Sequence, residues 1–422
     1  MISKIKPKSE FSRNVLTLIT GTTIAQTIPI AASPILTRIY SPQDFGILAI
    51  FTSITVIFGS IANGRYELAI MLPEKDEEAI NILALGFIIN LILSLFLLIV
   101  VALFNTFFTR LLNNEQISIW LYFTPITVFF IGVFNLLNSA SNRLKNYKGI
   151  ASANIYKSVV IVIIQLTVGF FKNGVTGLIS GQIISQFFGN IKLAKFVLKD
   201  KKLISKINIK RVLIVAKKYK DFPKFSLLAT LANSLSFSML SILISSLFSV
   251  VTLGFYALVQ RVLIIPSVLI GSSIGQVFYQ EATEEKKETG SVVNAFKKTI
   301  KKLVIIAIPF FGVFFYIVED LFVFVFGEEW QIAGEYAMIV TPLFFTRFIV
   351  SVFTLLPIIY HRTKIDLIFQ IGIVLITMIS LYISYILKIE FSLFLVYYTF
   401  VLIFYYLCYL FFLFTFFIKN KY

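Results

Sequence analysis

With one cysteine, Cys408, and one histidine, His361, in 422 residues, several kinds of chemistry are closed to this chain. A lone cysteine excludes an intrachain disulfide, and one histidine with it cannot build a His/Cys metal cluster. Acids are scarce as well: 21 Asp and Glu stand against 38 Lys and Arg, which leaves few carboxylates for acid–base pairs or metal sites. No GxxxxGK[ST] sequence marks an ATP site, and no Ser/His/Asp set can be assembled around a single histidine at the end of an apolar run. Long polar stretches are also lacking, so no water-soluble domain fits between the apolar runs, and a membrane glycosyltransferase or polymerase would need an outer loop longer than any here. Catalytic, cofactor and metal residues are expected to be absent, and the chain is not read as an enzyme.

What is abundant is apolar surface. Hydrophobic residues make up 58% of the chain and charged residues 14%, more than a soluble protein of this length could bury. This composition predicts an all-α integral membrane protein. Apolar runs of roughly 20 residues, each able to cross ~30 Å of hydrocarbon, recur about twelve times, six between Asn14 and Phe196 and six between Phe222 and Ile418. The net charge of +17 lies mostly in lysines packed into short connections, which is the pattern of cytoplasmic membrane loops and not of a nucleic-acid surface. The basic start, Lys4 to Arg13, leads into a run too long for a signal peptide and is read as preceding a retained first helix. By the positive-inside rule both termini are expected in the cytoplasm, as are the connections holding Arg143, Lys145 and Lys148 and the segment Lys286 to Lys302. That places the protein in the cytoplasmic (inner) membrane.

The basic stretch 199–221 divides six runs from six, giving an N-terminal lobe over residues 1–198 and a C-terminal lobe over 222–422. Its Leu203, Ile204, Ile207, Leu213 and Ile214 interleave with lysines, which suits either a helix lying on the inner leaflet or a solvated linker. Aligning SPQDFGILAI (Ser41 to Ile50) with SVVTLGFYAL (Ser249 to Leu258) places Ser41 on Ser249 and Gly46 on Gly254, each at the start of the second run of its half. Equivalent position argues for a parallel six-plus-six repeat, two lobes around a central cavity. The first, second, seventh and eighth runs are expected to supply most of the cavity wall.

The stretch GFYALVQRVLIIPSVLIGSSIGQVFYQEA, Gly254 to Ala282, places Arg261 about six residues, or ~9 Å, into an apolar helix, five residues before a kinking Pro266. An arginine there costs roughly 2.5 to 3.5 kcal/mol on insertion scales and is expected to face protein or water. Arg347, inside TPLFFTRFIVSVF, is read the same way. Arg65 and Glu67, in GRYELAIML, suit either an interfacial pair reaching the headgroups or a cavity mouth. These four, with Arg38 and Gln260, are the candidate substrate-binding residues. The amides Gln26, Asn63, Asn90, Gln165 and others in the runs are expected mainly to bond between helices.

Four stretches carry a resemblance: LTRIYSPQDFGILAIF (Leu36 to Phe51), NGRYELAIMLPEKDEEA (Asn63 to Ala79), YKDFPKFSLLATLANSLS (Tyr219 to Ser236) and the Arg261 helix, with FGEEWQIAGEY (Phe326 to Tyr336) as a fifth. Together they resemble the Wzx-type flippases of O-antigen and capsule repeat units, in the multidrug/oligosaccharidyl-lipid/polysaccharide (MOP) exporter superfamily, whose fold includes the MATE transporters. The spacing of Arg261 to Pro266 is also similar to that in peptidoglycan lipid II flippases. The resemblance implies an undecaprenyl-pyrophosphate-linked oligosaccharide as substrate, moved by alternating access for surface polysaccharide biosynthesis, with arginines replacing water around the pyrophosphate. Membrane lipids, and a polysaccharide polymerase and chain-length proteins, are the partners it implies. No cofactor is expected, and coupling to a proton or sodium ion stays open. A MATE-like drug or cation antiporter, a glycosyltransferase or polymerase of the same pathway, and a noncatalytic assembly scaffold are the competing readings.

Overall fold

The computed structural model describes residues 10–172, 174–199, 201–360, 362 and 364–419. Lys4, Lys6, Lys8, Lys421 and His361 lie outside them, as do the side chains of Arg13 and Lys419. Lipid offers the backbone no hydrogen-bond partner, so an apolar run must satisfy its own N–H and C=O groups as helix. Among the described residues every regular element is helical, and helix occupies each of the twelve apolar runs. Among the described residues, eight helical segments are long and apolar enough to cross a membrane, or nine if the bent run of Phe222–Leu235 and Ser238–Leu247 is one span. The chain divides into two compact units, residues 1–242 and 243–422.

In the first unit, α1 (Glu10–Ala31) and α2 (Ser33–Ile39) precede α3 (Pro42–Ile61), and the one-turn α4 (Tyr66–Ala69) leads into the long α5 (Asp76–Leu111). There follow α6 (Ile117–Leu121), α7 (Thr124–Arg143), α8 (Tyr147–Phe171) and α9 (Thr176–Val197), then the short α10 (Lys201–Ile204) and α11 (Ile209–Lys218). Helix α8 packs on α1 and α9, and α7 on α3, α5 and α9. Small residues allow the close crossings: a Cβ on Gly21 of α1 would stand 2.9 Å from the Ala151 Cα of α8. Buried amides tie the helices together, as expected. Asn90 donates to the Phe129 carbonyl at 2.9 Å, Asn190 to Phe130 at 2.9 Å, and Gln165 to Leu178 at 3.2 Å.

The basic connection is docked. Val212 and Val215 of α11 are buried against Tyr66, Ala69, Ile70 and the start of α5. Asn81 of α5 receives the Asn208 backbone N–H at 3.0 Å and donates to the Lys206 carbonyl at 3.2 Å, so two main-chain groups of the connection end on one side chain. Ile209, Leu213 and Ile214 remain exposed on the opposite side of the helix. The connection is thus a helix with one face seated on protein, where the sequence offered a leaflet-bound helix or a solvated linker.

Helix α12 (Leu227–Leu247) continues from a π-helical turn at Phe222–Ser226 and runs across the unit boundary. The second unit contains α13 (Val250–Leu263), α14 (Ser272–Thr289), α15 (Val293–Phe326), α16 (Gln331–Phe353), α17 (Leu356–Ile359), α18 (Lys364–Leu387) and α19 (Phe391–Phe414). Helix α16 is its axis, packed against α13, α15 and α19. Aromatic rings fill the space around it: Phe255 meets Trp330 edge-on at 5.8 Å, and Phe296 meets Phe353 at 4.4 Å. Gly334 allows α15 close in, since a Cβ there would stand 2.9 Å from Glu319 Cα.

The Ser41/Ser249 register has a structural counterpart. Ser41 caps α3, its Oγ accepting from the Asp44 N–H at 3.3 Å while Asp44 accepts from the Ser41 N–H at 3.0 Å. Ser249 caps α13 by accepting from the Thr252 N–H at 2.9 Å. Both serines therefore satisfy the same orphaned N3 donor at the start of a helix.

Candidate functional site

Arg261 lies in the last turn of α13, just before the helix breaks. Pro266 has no N–H to donate to the carbonyl four residues back and its ring crowds that carbonyl, so the ladder cannot pass through it. The chain leaves α13 at Leu263, turns through a π-helical segment at Ser267–Gly271 and resumes as α14. The single kinked helix expected from sequence is thus two helices joined at the proline. None of the ion pairs among the described residues includes Arg261 or Arg347.

Gln260 and Arg347 are brought together, and Tyr256 is what joins them. Gln260 lies within reach of the buried Tyr256 hydroxyl one turn earlier on α13, and Arg347 of α16 is close enough to act electrostatically on the phenols of both Tyr256 and Tyr398. The Arg347 guanidinium also stands 5.3 Å from the Phe344 ring centre. The Tyr398 hydroxyl of α19 is 2.9 Å from Thr377 of α18, and Tyr406 lies within electrostatic reach of Tyr256 and Tyr398. The second unit thus holds a layer of buried hydroxyls with a half-buried amide and a half-buried guanidinium, drawn from four helices. Sequence reasoning missed its tyrosines because it counted Tyr as apolar bulk; the one available sign was Tyr256 a helical turn from Gln260.

In the first unit, Gly64 and Arg65 both take positive φ, 61° and 65°, which reverses the chain after α3 and starts α4. This left-handed backbone is unusual for arginine, and an ion pair within the turn holds it. Arg65 Nη1 is 2.9 Å from Glu67 Oε1, and the Glu67 side chain is only 6% exposed. The pair therefore turns into the protein and does not reach for headgroups. Arg65 Nε, Glu67 Oε2 and Asn63 Oδ1 are buried without a partner, a concentration of unmet hydrogen-bonding capacity in one short turn. Burial pushes the Glu67 carboxyl above its ordinary range, with Arg65 opposing it. Tyr66 between them donates its hydroxyl to the Ala216 carbonyl of α11 at 3.0 Å, and Arg143 braces the loop beyond, donating to the carbonyls of Ile70 at 3.0 Å and Pro73 at 2.7 Å. Arg38 is exposed on α2 and donates to the Pro34 carbonyl of its own helix.

A second residue missed in the sequence is Lys157. It falls two residues after Ile155, where the fifth apolar run was taken to begin, and so passed as part of the basic margin. In the structure it is on α8 about ten residues, ~15 Å, beyond the helix start at Tyr147.

Comparison with known proteins fits this architecture. No curated protein sequence matches the chain. Among solved structures it is similar to the lipid II flippase MurJ in an inward closed conformation, with a TM-score of 0.70 at 14% identity over 95% of this chain and 86% of that one. It is also similar to the MATE multidrug transporter DinF-BH, with a TM-score of 0.63 at 16% identity over 98% and 96% of the two chains. A third similar structure is an inward-facing multidrug resistance MATE family transporter of the MOP superfamily, with a TM-score of 0.57 at 14% identity over 93% and 92%. At such identities the likeness establishes the fold: an all-α, multi-pass membrane protein of the MOP type. The family model described as polysaccharide biosynthesis protein matches residues 35–335, most of the chain, and the chain belongs to that family.

Proposed function

We propose that this protein is a flippase that carries undecaprenyl-pyrophosphate-linked oligosaccharide repeat units across the cytoplasmic membrane by alternating access, for surface polysaccharide biosynthesis. The observation that carries this reading is Arg261 together with Arg347: two guanidinium groups on apolar helices without a carboxylate partner among the described residues. A guanidinium so placed gains most from a ligand that brings its own negative charge, and a pyrophosphate accepts the fixed donor fork of arginine. Hydroxyls of the sugar unit match the Tyr256, Gln260 and Tyr398 layer chemically. A cation antiporter would have its substrate repelled by the same groups. Transport of this kind makes and breaks no covalent bond, so the protein acts as a transporter and not an enzyme. Both termini and the α10–α11 connection are assigned to the cytoplasm, on the asymmetry of lysines. Arg65 and Glu67 then stand on that side, and a polymerase and chain-length proteins are the partners that would act next on the product.

Deletion of the gene tests the reading. Lipid-linked repeat units should accumulate on the cytoplasmic face of the membrane while surface polymer disappears, and a plasmid copy should reverse both. Loss of polymer without accumulation would assign the protein to an earlier, enzymatic step. Cysteine placed at position 206 should resist labelling from outside intact cells and cysteine at 329 should accept it; the opposite pattern would overturn the orientation.

A further inference from the structure

Lys157 is a third cation among the apolar helices, and the flippase reading leaves it unused. It sits on α8 facing α7 and α9. Its Nζ donates to Gln186 Oε1 at 3.2 Å and stands 4.7 Å from the Phe134 ring centre, and it joins none of the ion pairs among the described residues. Both contacts are with neutral groups. They orient the ammonium and leave its charge uncompensated. Gln186 is 6% exposed, and with its oxygen engaged by lysine its amide nitrogen is the group left over, with no partner among the described residues. Gly189, one turn on, leaves room beside the lysine stem: a Cβ there would stand 3.3 Å from the Phe134 ring and 3.5 Å from Lys157 Cδ. Lys157 as a residue is half-buried.

An ammonium with two unused N–H bonds beside an amide N–H₂ is a donor set without an acceptor. Water could fill it, but would leave the charge uncompensated. An oxyanion with oxygens on two sides of one centre satisfies both donors and cancels the charge.

We propose that Lys157 and Gln186 form an oxyanion site within the first unit, taking a phosphate-class group of a membrane-embedded ligand. The choice of ligand rests on the flippase reading, under which the group is the pyrophosphate of the lipid-linked substrate; the donor geometry does not depend on that reading.

The test uses the full-length protein in phosphatidylcholine nanodiscs, titrated with inorganic pyrophosphate and, separately, with undecaprenyl pyrophosphate, reading the ligand-induced rise in unfolding temperature. Lys157→Met removes the charge while keeping an unbranched stem, and should weaken binding of both probes by about tenfold or more. Lys157→Arg should stay within about threefold of the parent. Without probe, Lys157→Met should unfold at or above the parental temperature, since an uncompensated charge has left an apolar site. Pyrophosphate binding that depends on Lys157, with no binding of the lipid-linked probe, would leave the site standing and count against the flippase reading. The proposal is overturned by Lys157→Met binding both probes as the parent does, by a Lys157→Met protein that fails to fold, or by a parent protein silent to both probes.

Discussion

Charges at the start of α5 and charges inside the apolar helices are treated in opposite ways. Around the first turn of α5 the cations brought in from α7 and the basic connection have acids: Arg143 meets Asp76 at 2.9 Å, Glu77 holds both Lys206 and Arg211, and Glu78 holds Lys218. Inside the helices, Lys157 meets an amide and a ring and Arg347 a ring and phenols, and none of Lys157, Arg261 and Arg347 joins an ion pair among the described residues. Cost runs the other way from pairing. Exposed ion pairs are worth about 0 to 1 kcal/mol and lose little when broken, whereas a cation within a span costs roughly 2.5 to 3.5 kcal/mol on insertion scales. The acids at the start of α5 stand where charge is cheap, and among the described residues none of the 21 acids pairs with the three cations inside the helices. Pairing goes with scaffold here, and under the proposed function the unpaired cations are the positions that take their counter-charge from the substrate.

The comparison breaks most visibly in transport. Arg261→Ala should reduce surface polymer by about 100-fold or more with normal membrane insertion, because a buried charge contact made to a ligand is lost outright. Arg261→Lys should keep part of the activity. Arg211→Ala, a paired arginine, should leave export within about twofold of the parent. Immunoblotting of membranes alongside polymer quantification decides it: equal export by both alanine variants would erase the distinction.

Arg143 sharpens the same comparison from the scaffold side. It is a paired cation, but most of its bonds go to backbone, to Ile70 and Pro73 as well as Asp76, and its side chain is only 15% exposed. Arg143→Ala should cost about 3 kcal/mol, with the unfolding temperature of the purified protein and protease nicking between residues 70 and 76 as the readouts. Lysine should restore little, since it has no fork to span three acceptors.

Much of this contrast was legible in the sequence where one residue carried the whole message. Arg261 five residues before Pro266 gave both the cation and the break, and Ser41 and Ser249 gave two helix starts, because capping and proline chemistry act within a few residues. Lys157 was hidden by where the run was taken to begin, and its depth depends on α8 starting at Tyr147. The docking of α11 joins Asn81 to Lys206 and Asn208, residues more than a hundred positions away, and no local pattern encodes it. The tyrosine layer needed four helices to meet, so hydropathy could only count its members as apolar.

Glu67 tests the boundary case, an acid that is paired and buried together. Burial raises its carboxyl above the ordinary value of 4.5, so the folded chain holds the proton more tightly than the unfolded chain. The stability this contributes is full below about that value and is lost as pH rises through the raised folded value. The parent protein should therefore unfold at a lower temperature as pH climbs through this window, and Glu67→Gln should flatten the dependence. Arg65 is the charged group that opposes the rise, and Asp76, Glu77 and Glu78 of α5, Arg143 of α7 and Lys224 of the turn before α12 are the charges on the elements packed against α4. A profile unchanged by Glu67→Gln would assign the titration elsewhere.

The smallest effect is expected where pairing is densest. Glu78 accepts from Lys218 and from the Tyr219 hydroxyl at 3.0 Å, holding the end of α11 against α5. Lys218 is exposed, and its contact with Glu78 first, then that with Tyr219, raises its affinity for the proton. Removal of the charge by Glu78→Gln leaves the apolar seat of Val212 and Val215 and the Asn81 bonds in place. Since exposed pairs contribute little, trypsin cleavage within residues 201–218 should rise less than about fivefold at low ionic strength. Near 1 M salt, where the screening length falls to about 3 Å, parent and variant should be cut alike. Val212→Asp, which puts a charge into the apolar seat, should release the helix at any salt concentration. If instead Glu78→Gln alone frees it, the ion pairs hold the connection, and paired charge in this protein is worth more than its exposure implies.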